Sequence, residues 1–207
     1  MPISTGAASG RSAWKLGATS QAGQTVMGVT EPACGFLLPE RYASDANVSL
    51  GGFTDLRVEA EVVFRMGTKL AGPGVTASTA LRAVDGAAPA LGLLDFVFSG
   101  KPRGTDFIAN SIIAKAIAVG SPFMPAQGLD LAREDVVYEH NGEVVGSYTS
   151  AEVMGNPLNA LAWLANHLAT RASLWSPAIL SCRARSRRCC GRRPATRFRL
   201  GLRGWDR

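Results

Sequence analysis

One run of sequence, Val58-Glu59-Ala60-Glu61-Val62-Val63-Phe64, places two carboxylates two residues apart in an otherwise apolar, β-branched segment. Residues i and i+2 of a β-strand point to the same face, so this run predicts a strand with Glu59 and Glu61 side by side. Two carboxylates so close repel each other unless a positive charge lies between them. A hard divalent cation with oxygen ligands, Mg²⁺ or Mn²⁺, meets that requirement. The alternative is an amphipathic strand whose two Glu side chains face water.

The length of 207 residues suits one compact domain with a sizeable core. No apolar run is long enough to cross a bilayer, and the N-terminus lacks the basic and apolar regions of a secretory signal. We therefore expect a cytoplasmic protein without a membrane partner. Cys34 stands apart from three cysteines near the C-terminus. That spacing fits neither a disulfide framework nor a zinc site.

The net charge of +6 is distributed unevenly along the chain. Residues 182–207 contain ten Arg and one Asp, a balance of +9, whereas residues 1–181 contain 12 basic and 15 acidic groups. Because the body is mildly acidic, we do not expect nucleic acid as a partner. The tail alone allows the alternative of a basic arm for nucleic acid or an anionic surface, although it lacks regularly spaced aromatic residues.

Strands outnumber helices among the predicted elements. The clearest helix begins at Asn156-Pro157, because Pro fits the first turn and Leu residues then recur at helical spacing. Asn141-Gly142 predicts a hairpin turn. The predicted strands are 13–17, 56–66, 88–98, 136–139 and 143–148. Since they do not alternate with long helices, we expect an α+β fold with a mixed or antiparallel sheet and a few flanking helices.

Several motifs occur in an order that matches one known family. They are Trp14-Lys15-Leu16-Gly17, Glu31-Pro32 followed by Gly35, Glu59-x-Glu61-x-x-Phe64, Pro89-Ala90-Leu91-x-x-Leu94-Asp95, Asn141-Gly142-Glu143-Val144-Val145 and Gly155-Asn156-Pro157-Leu158-Asn159-Ala160-Leu161-Ala162-Trp163-Leu164-Ala165-Asn166. Together they resemble the 2-keto-4-pentenoate hydratases of the fumarylacetoacetate hydrolase superfamily. The resemblance covers roughly residues 11 to 181, and it implies the mixed β-sheet roll of that superfamily.

The resemblance implies a metal-dependent lyase that adds water to a 2-hydroxy-2,4-dienoate (2-keto-4-pentenoate type) acid in aromatic-compound catabolism. In such enzymes three carboxylates hold Mg²⁺ or Mn²⁺, and the metal chelates a small 2-keto acid substrate and stabilises its enolate. The resemblance assigns Glu59 and Glu61 as two metal ligands and Lys15 as the catalytic residue that faces the substrate. The alternative for Lys15 is a solvated surface position. Relatives of this kind also imply a homo-oligomer.

One departure from the family pattern concerns the metal site. The third ligand of the family is a Glu, and the matching position here is Gly92, which has no side chain to coordinate with. Asp95, three positions later, is expected on the opposite face of the strand. Ile112 and Ile113 add bulk where relatives have small hydroxyl residues. Two alternatives therefore stay open: a catalytically impaired remnant, or a 4-oxalocrotonate decarboxylase-like subunit that assembles with a relative.

The two ends also depart from the family. We predict a flexible N-terminus over residues 1–10, a family-like catalytic domain over 11–181 that is incomplete at both ends, and an Arg-rich non-family tail over 182–207. If residues 194–199 were encoded CCG GCG ACA CGG TTT CGG, the shifted frame would give the family sequence Gly-Asp-Thr-Val-Ser. We hypothesise a frameshift near Ser181 or Cys182. Loss of the last strands would then leave an open sheet edge.

Overall fold

Two β-sheets and four α-helices make up the part of the chain that the computed structural model describes, namely residues 13–37, 41–43, 46–170, 179–188 and 198–203. The N-terminus of residues 1–10, expected to be flexible, lies outside the described residues. The helices are α1 (Gln21–Met27), α2 (Ala77–Ala83), α3 (Gly104–Ala109) and α4 (Pro157–Ala169). The strands are β1 (Ala13–Gly17), β2 (Ala33–Leu37), β3 (Arg41–Ala43), β4 (Leu56–Met66), β5 (Val84–Asp95), β6 (Ala114–Val119), β7 (Asp135–His140), β8 (Glu143–Thr149), β9 (Ile179–Arg188) and β10 (Phe198–Arg203).

The larger sheet is mixed, and its described strands lie in the order β2-β1-β9-β4-β5-β6-β3. β1 runs parallel to β9, and β3 runs parallel to β6, whereas β4 is antiparallel to both β5 and β9. A second, antiparallel sheet has the order β10-β7-β8. The expected α+β class with a mixed sheet is therefore confirmed.

Local sequence signals explain where several elements begin and turn. The side chain of Asn156 accepts a hydrogen bond from the Leu158 N–H at 2.9 Å, which caps α4 just before Pro157. Asn141 and Gly142 take the positive φ values of 54° and 86° that a tight hairpin turn between β7 and β8 requires. β4 has the predicted bounds. β5 begins four residues earlier than predicted, because its pairing with β4 continues to Val84.

The central strand β4 is covered on both faces. Val62 and Phe64 belong to one hydrophobic cluster with the buried Leu161 and Leu164 of α4. This contact places the Leu-rich face of α4 against the sheet, and each such side chain contributes about 1.5–3 kcal/mol by its burial. Alternation places Glu59, Glu61 and Val63 on the opposite face of β4. No helix in the described part of the chain has the length and apolar character needed to span a membrane.

The structure differs from the expectation of an open sheet edge. The backbone of β9 pairs with β4 on one side and with β1 on the other, and the backbone of β10 pairs with β7. The expected open edge is therefore wrong for these strands. β9 begins at Ile179 and continues to Arg188, across the predicted boundary at Ser181. The division of the chain into domains stays a prediction.

Candidate active site

Three ionisable side chains meet at the centre of the large sheet. The Nζ atom of Lys15 on β1 lies 3.0 Å from Oε2 of Glu59 and 2.5 Å from Oε1 of Glu61, both on β4. All three residues are at most 2% exposed. The two solvated alternatives, Glu side chains facing water and a surface Lys, are therefore wrong. The roles of these residues as metal ligands and as a catalytic group stay predictions.

The two carboxylates hold Lys15 in its charged form. Burial alone would lower the pKa of this lysine, but the charges of Glu59 and Glu61 and their hydrogen bonds outweigh burial, so the pKa of Lys15 is raised. Lys15 is thus an ammonium at neutral pH. It can donate a proton or a hydrogen bond, and it does not act as a base while both carboxylates face it.

The position of the missing third ligand faces the same cluster. Gly92 on β5 lies opposite Glu59 in the antiparallel register, and opposite residues share a face of the sheet. A Cβ added at Gly92 would overlap Oε1 of Glu61, so the Glu61 carboxylate occupies the space where a side chain at position 92 would begin. The structure therefore brings position 92 to the two carboxylates, as the family pattern requires.

Asp95 has a different place and different partners, as the alternation of the strand predicts. Its Oδ1 accepts hydrogen bonds from the backbone N–H groups of Thr54 and Asp55 at 2.7 and 3.0 Å, and its Oδ2 lies 2.8 Å from Lys115 Nζ. Burial would raise the pKa of Asp95, but the Lys115 and backbone hydrogen bonds outweigh it, so this pKa is lowered. Asp95 closes the loop before β4 and does not serve as the third ligand.

A cavity of about 270 Å³ adjoins Glu59. Its lining is mainly apolar and includes Leu94, Phe96, Phe107, Ile112 and Ile113. The charged residues of the lining are Arg57, Glu59 and Lys101. At about 30 Å³ for each liquid water, the cavity has room for roughly nine water molecules or one short organic acid. Lys15 and Glu61 are not part of this lining, so Glu59 is the member of the cluster that meets the cavity.

The wall formed by the isoleucines has a strained backbone. Ser111, Ile112 and Ile113 all have positive φ, at 47°, 57° and 54°, which β-branched residues rarely adopt. Two glycines make room for this turn: a Cβ at Gly35 would stand 2.7 Å from Ser111 Cα, and a Cβ at Gly17 would overlap Ile112 Cγ2. The bulk of Ile112 and Ile113 therefore forms part of the cavity wall.

Arg57 and Lys101 line the cavity but belong to none of the sequence motifs that indicate the site. The signal for Arg57 was available, because it precedes Glu59 by two residues and the alternation that pairs Glu59 with Glu61 also places Arg57 on their face. Lys101 lies in the loop between β5 and α3. No sequence pattern indicated that this loop approaches Glu59, since the approach depends on the tertiary fold.

The two carboxylates of the cluster suit a divalent cation. Glu59 and Glu61 supply two buried carboxylates on one strand face, which are ligands that Mg²⁺ and Mn²⁺ prefer. With Lys15 they carry one negative charge in excess, so a divalent cation would reverse the sign of the cluster. Within the described residues, no group of three or more His, Cys, Asp and Glu side chains is placed to hold a metal. The residues therefore fit a two-carboxylate site.

Comparison with known proteins points to one group of enzymes. The chain is 34% identical over 158 residues to the 2-hydroxyhexa-2,4-dienoate hydratase of Comamonas testosteroni, an alignment that covers 74% of this chain and 60% of the relative. It is 32% identical over 153 residues to the 2-keto-4-pentenoate hydratase of Paraburkholderia xenovorans, covering 73% of this chain and 57% of the relative. The chain thus spans less than two thirds of the length of these relatives. No family model matches it.

Solved structures show the same fold. The 4-oxalocrotonate decarboxylase from Pseudomonas putida G7, complexed with magnesium and adipate, has a TM-score of 0.86 at 25% identity and covers 94% of this chain and 75% of its own. The fumarylacetoacetate hydrolase from Exiguobacterium antarcticum has a TM-score of 0.64 at 14% identity, covering 94% of this chain and 72% of its own, and shows the fold alone. The expected roll of the fumarylacetoacetate hydrolase type is confirmed. From its relatives and its fold, the chain is a homologue of the 2-keto-4-pentenoate and 2-hydroxydienoate hydratases and has the fold of the fumarylacetoacetate hydrolase superfamily.

Proposed function

We propose that this protein is a metal-dependent hydro-lyase that adds water to a short 2-hydroxy-2,4-dienoate acid formed in aromatic-compound catabolism. The observation that carries the proposal is the buried cluster of Lys15, Glu59 and Glu61, which meets an apolar cavity at Glu59. A buried charged cluster with one carboxylate in the wall of such a cavity favours a site for a polar ligand over a structural ion pair alone.

Glu59 and Glu61 would hold the divalent cation, Mg²⁺ or Mn²⁺. When bound, the cation supplies the concentrated positive charge that favours an enolate beside a carboxylate. The solved decarboxylase of similar fold contains magnesium, which supports a divalent cation here. Activity measured with each metal separately decides between Mg²⁺ and Mn²⁺.

The residues of the chain itself have three tasks. Lys15 holds a proton at Nζ beside both carboxylates, and its proposed role is to assist proton transfer to the dienol carbon by way of Glu59. The apolar wall excludes water from the acid's carbon chain. Glu59 faces both the cavity and Lys15, so it connects the bound acid to the proton donor. We further propose a cytoplasmic homo-oligomer, as is expected for a catabolic enzyme of this family.

The alternative is a catalytically impaired remnant, or a decarboxylase-like subunit that assembles with a relative. Gly92 favours it, because the position that faces Glu61 offers no third carboxylate. Two protein carboxylates with water ligands hold Mg²⁺ more weakly than three. Activity without any change of sequence would exclude this alternative.

The test is the loss of dienol absorbance of 2-hydroxypenta-2,4-dienoate, with Mg²⁺ or Mn²⁺ and again with a chelator. We expect metal-dependent turnover by the unaltered chain and a loss of at least a hundredfold in Glu59→Gln and in Glu61→Gln. Asp130→Asn, at an exposed carboxylate outside the family motifs, is the control and should retain activity. Circular dichroism checks that each variant is folded. Activity only in Gly92→Glu would identify the natural protein as a remnant.

A further inference from the structure

Arg57 gives the cavity beside Glu59 a positive charge of its own. It lies on β4 two residues before Glu59, and both side chains line the cavity. Lys101 lines the same cavity, and among the described residues no Asp or Glu forms an ion pair with it. Glu59, the carboxylate of this lining, lies 3.0 Å from Lys15 Nζ, which offsets its charge. The described wall of the cavity is therefore positive on balance and favours an anion.

The contacts of Arg57 leave N–H donors available for such an anion. Its Nη2 lies 3.4 Å from Asp55 Oδ2, a long and partly exposed ion pair that contributes little. Its guanidinium carbon lies 3.9 Å from the centroid of the Phe96 ring, which holds the group in place. Its Nε is buried and has no hydrogen-bond partner among the described residues. A guanidinium has five N–H donors, and a buried donor without an acceptor is costly, so Arg57 gains from an incoming acceptor.

Beyond its charged residues the cavity wall is mainly apolar, and two of its members, Phe96 and Phe107, are aromatic. Their ring centroids lie 6.3 Å apart, and both rings pack against Phe98, with centroid distances of 5.3 and 5.5 Å. Three phenylalanines in mutual contact make this side of the cavity a rigid apolar surface. A ligand with one charged end and an apolar body matches a wall of this composition, because the body loses water where no polar partner is needed.

We propose that Arg57 binds the carboxylate of a monocarboxylic acid with an apolar body, and that it does so without a metal ion. The guanidinium donates two parallel hydrogen bonds to the carboxylate, and the apolar body lies against Phe96 and Phe107. This anion site shares the cavity with Glu59 but uses neither carboxylate of the proposed metal site, so it does not depend on the proposed function. An acid bound at Arg57 occupies space that the dienoate needs.

Isothermal titration calorimetry with a chelator present tests this site with three probes. Benzoate has both the charge and the apolar body, benzamide has the same shape without the charge, and acetate has the charge without the body. We expect the unaltered protein to bind benzoate about tenfold to a hundredfold more tightly than benzamide, as for hydrogen bonds to a charged group. Benzoate should also bind more tightly than acetate, because only benzoate contacts the apolar wall. These comparisons need no variant, so they do not depend on the folding of one.

Three variants then test the assignment of the charge. Arg57→Met should reduce binding of benzoate to the level of benzamide, and Arg57→Lys, which keeps the charge without the planar fork, should retain part of it. Lys101→Met should have a smaller effect than Arg57→Met, because the Lys101 side chain is exposed. Glu59→Gln removes a negative charge from the lining, so it should tighten the metal-free binding of benzoate. An acid held through a metal ion would instead be lost in Glu59→Gln.

Arg65→Met is the matched control. Arg65 lies on the same strand, forms an ion pair with Asp85 and has its guanidinium carbon 4.6 Å from the centroid of the Phe123 ring, but it does not line the cavity. This variant should bind benzoate as the unaltered protein does. Equal binding of benzoate and benzamide, benzoate binding only after metal is added, or unchanged binding in a folded Arg57→Met protein would each overturn the proposal. Because binding is measured without metal or turnover, a chain that binds benzoate and hydrates no dienoate would refute the proposed function alone.

Discussion

The Glu61 carboxylate lies directly against Gly92, in the space where a side chain at position 92 would begin. This contact connects the absence of a third carboxylate to the position of the second. Without a side chain at 92, Glu61 turns toward β5 and still reaches Lys15 Nζ at 2.5 Å. The ammonium of Lys15 and a divalent cation therefore require the same two carboxylates.

Gly92→Glu should lower the stability of the metal-free protein. It should also increase the rise in melting temperature that Mn²⁺ causes. The new side chain forces Glu61 to rotate away from Lys15, and such crowding costs about 1–3 kcal/mol. It also supplies a third carboxylate, so Mn²⁺ should raise the melting temperature more in this variant than in the unaltered protein. Thermal unfolding with and without Mn²⁺ measures both effects.

Gly92→Ala is the control for crowding, because it adds the Cβ and no ligand. It should lower the melting temperature without increasing the shift caused by Mn²⁺. If Mn²⁺ raised the melting temperature equally in Gly92→Ala and Gly92→Glu, position 92 would not belong to the metal site.

Lys15→Met should strongly destabilise the metal-free protein. Glu59 and Glu61 would lose the ammonium that both contact, and removal of one member of a buried ionic cluster typically costs about 3–5 kcal/mol. Urea unfolding at neutral pH measures the loss. Lys69→Met removes an exposed lysine of the same chain and should have almost no effect. A Lys15→Met protein as stable as the control would show that the cluster is not held by this ammonium.

The sequence predicted those features that depend on local patterns. The alternation in Val58–Phe64 was enough to place Glu59 and Glu61 on one face, and Asn156-Pro157 was enough to begin α4 at its first residue. Both signals act within a few residues along the chain. The roles of Lys15 and Gly92 were indicated only by the family motifs, because no periodic pattern of the sequence marks either residue.

Features that depend on distant contacts could not be predicted in the same way. Burial of Lys15 requires β1 to reach the Glu59 and Glu61 face of β4, although 44 residues separate Lys15 from Glu59. Periodicity does not decide between helix and strand over residues 106–117, because α3, a left-handed turn and β6 follow each other within a few residues there. Positive φ at Ile112 opposes the local preference of a β-branched residue, so only tertiary packing stabilises it.

Asp95 should make the fold sensitive to acid. Its pKa in the folded protein is lowered below the ordinary value of 3.8, so its contribution to stability is complete above that value and is lost as the pH falls through the folded pKa. Asp95→Asn should therefore destabilise the protein at pH 6 by about 1–3 kcal/mol. Below pH 4 the free energy of unfolding of this variant should depend less on pH than that of the unaltered protein. Urea unfolding across this range checks the prediction. Asp85→Asn, at an exposed carboxylate, is the control and should change the stability at pH 6 little.

Gly17→Ala should destabilise the protein through one identifiable contact. The added Cβ would overlap Ile112 Cγ2, and overpacking of this kind costs about 1–3 kcal/mol. Ile112→Ala removes that methyl group and also eases the left-handed backbone, at the cost of a buried side chain. Gly17→Ala should therefore cost less in the Ile112→Ala background, and urea unfolding of the four proteins in a double-mutant cycle measures this coupling. Additive changes would show that Gly17 and Ile112 do not constrain each other.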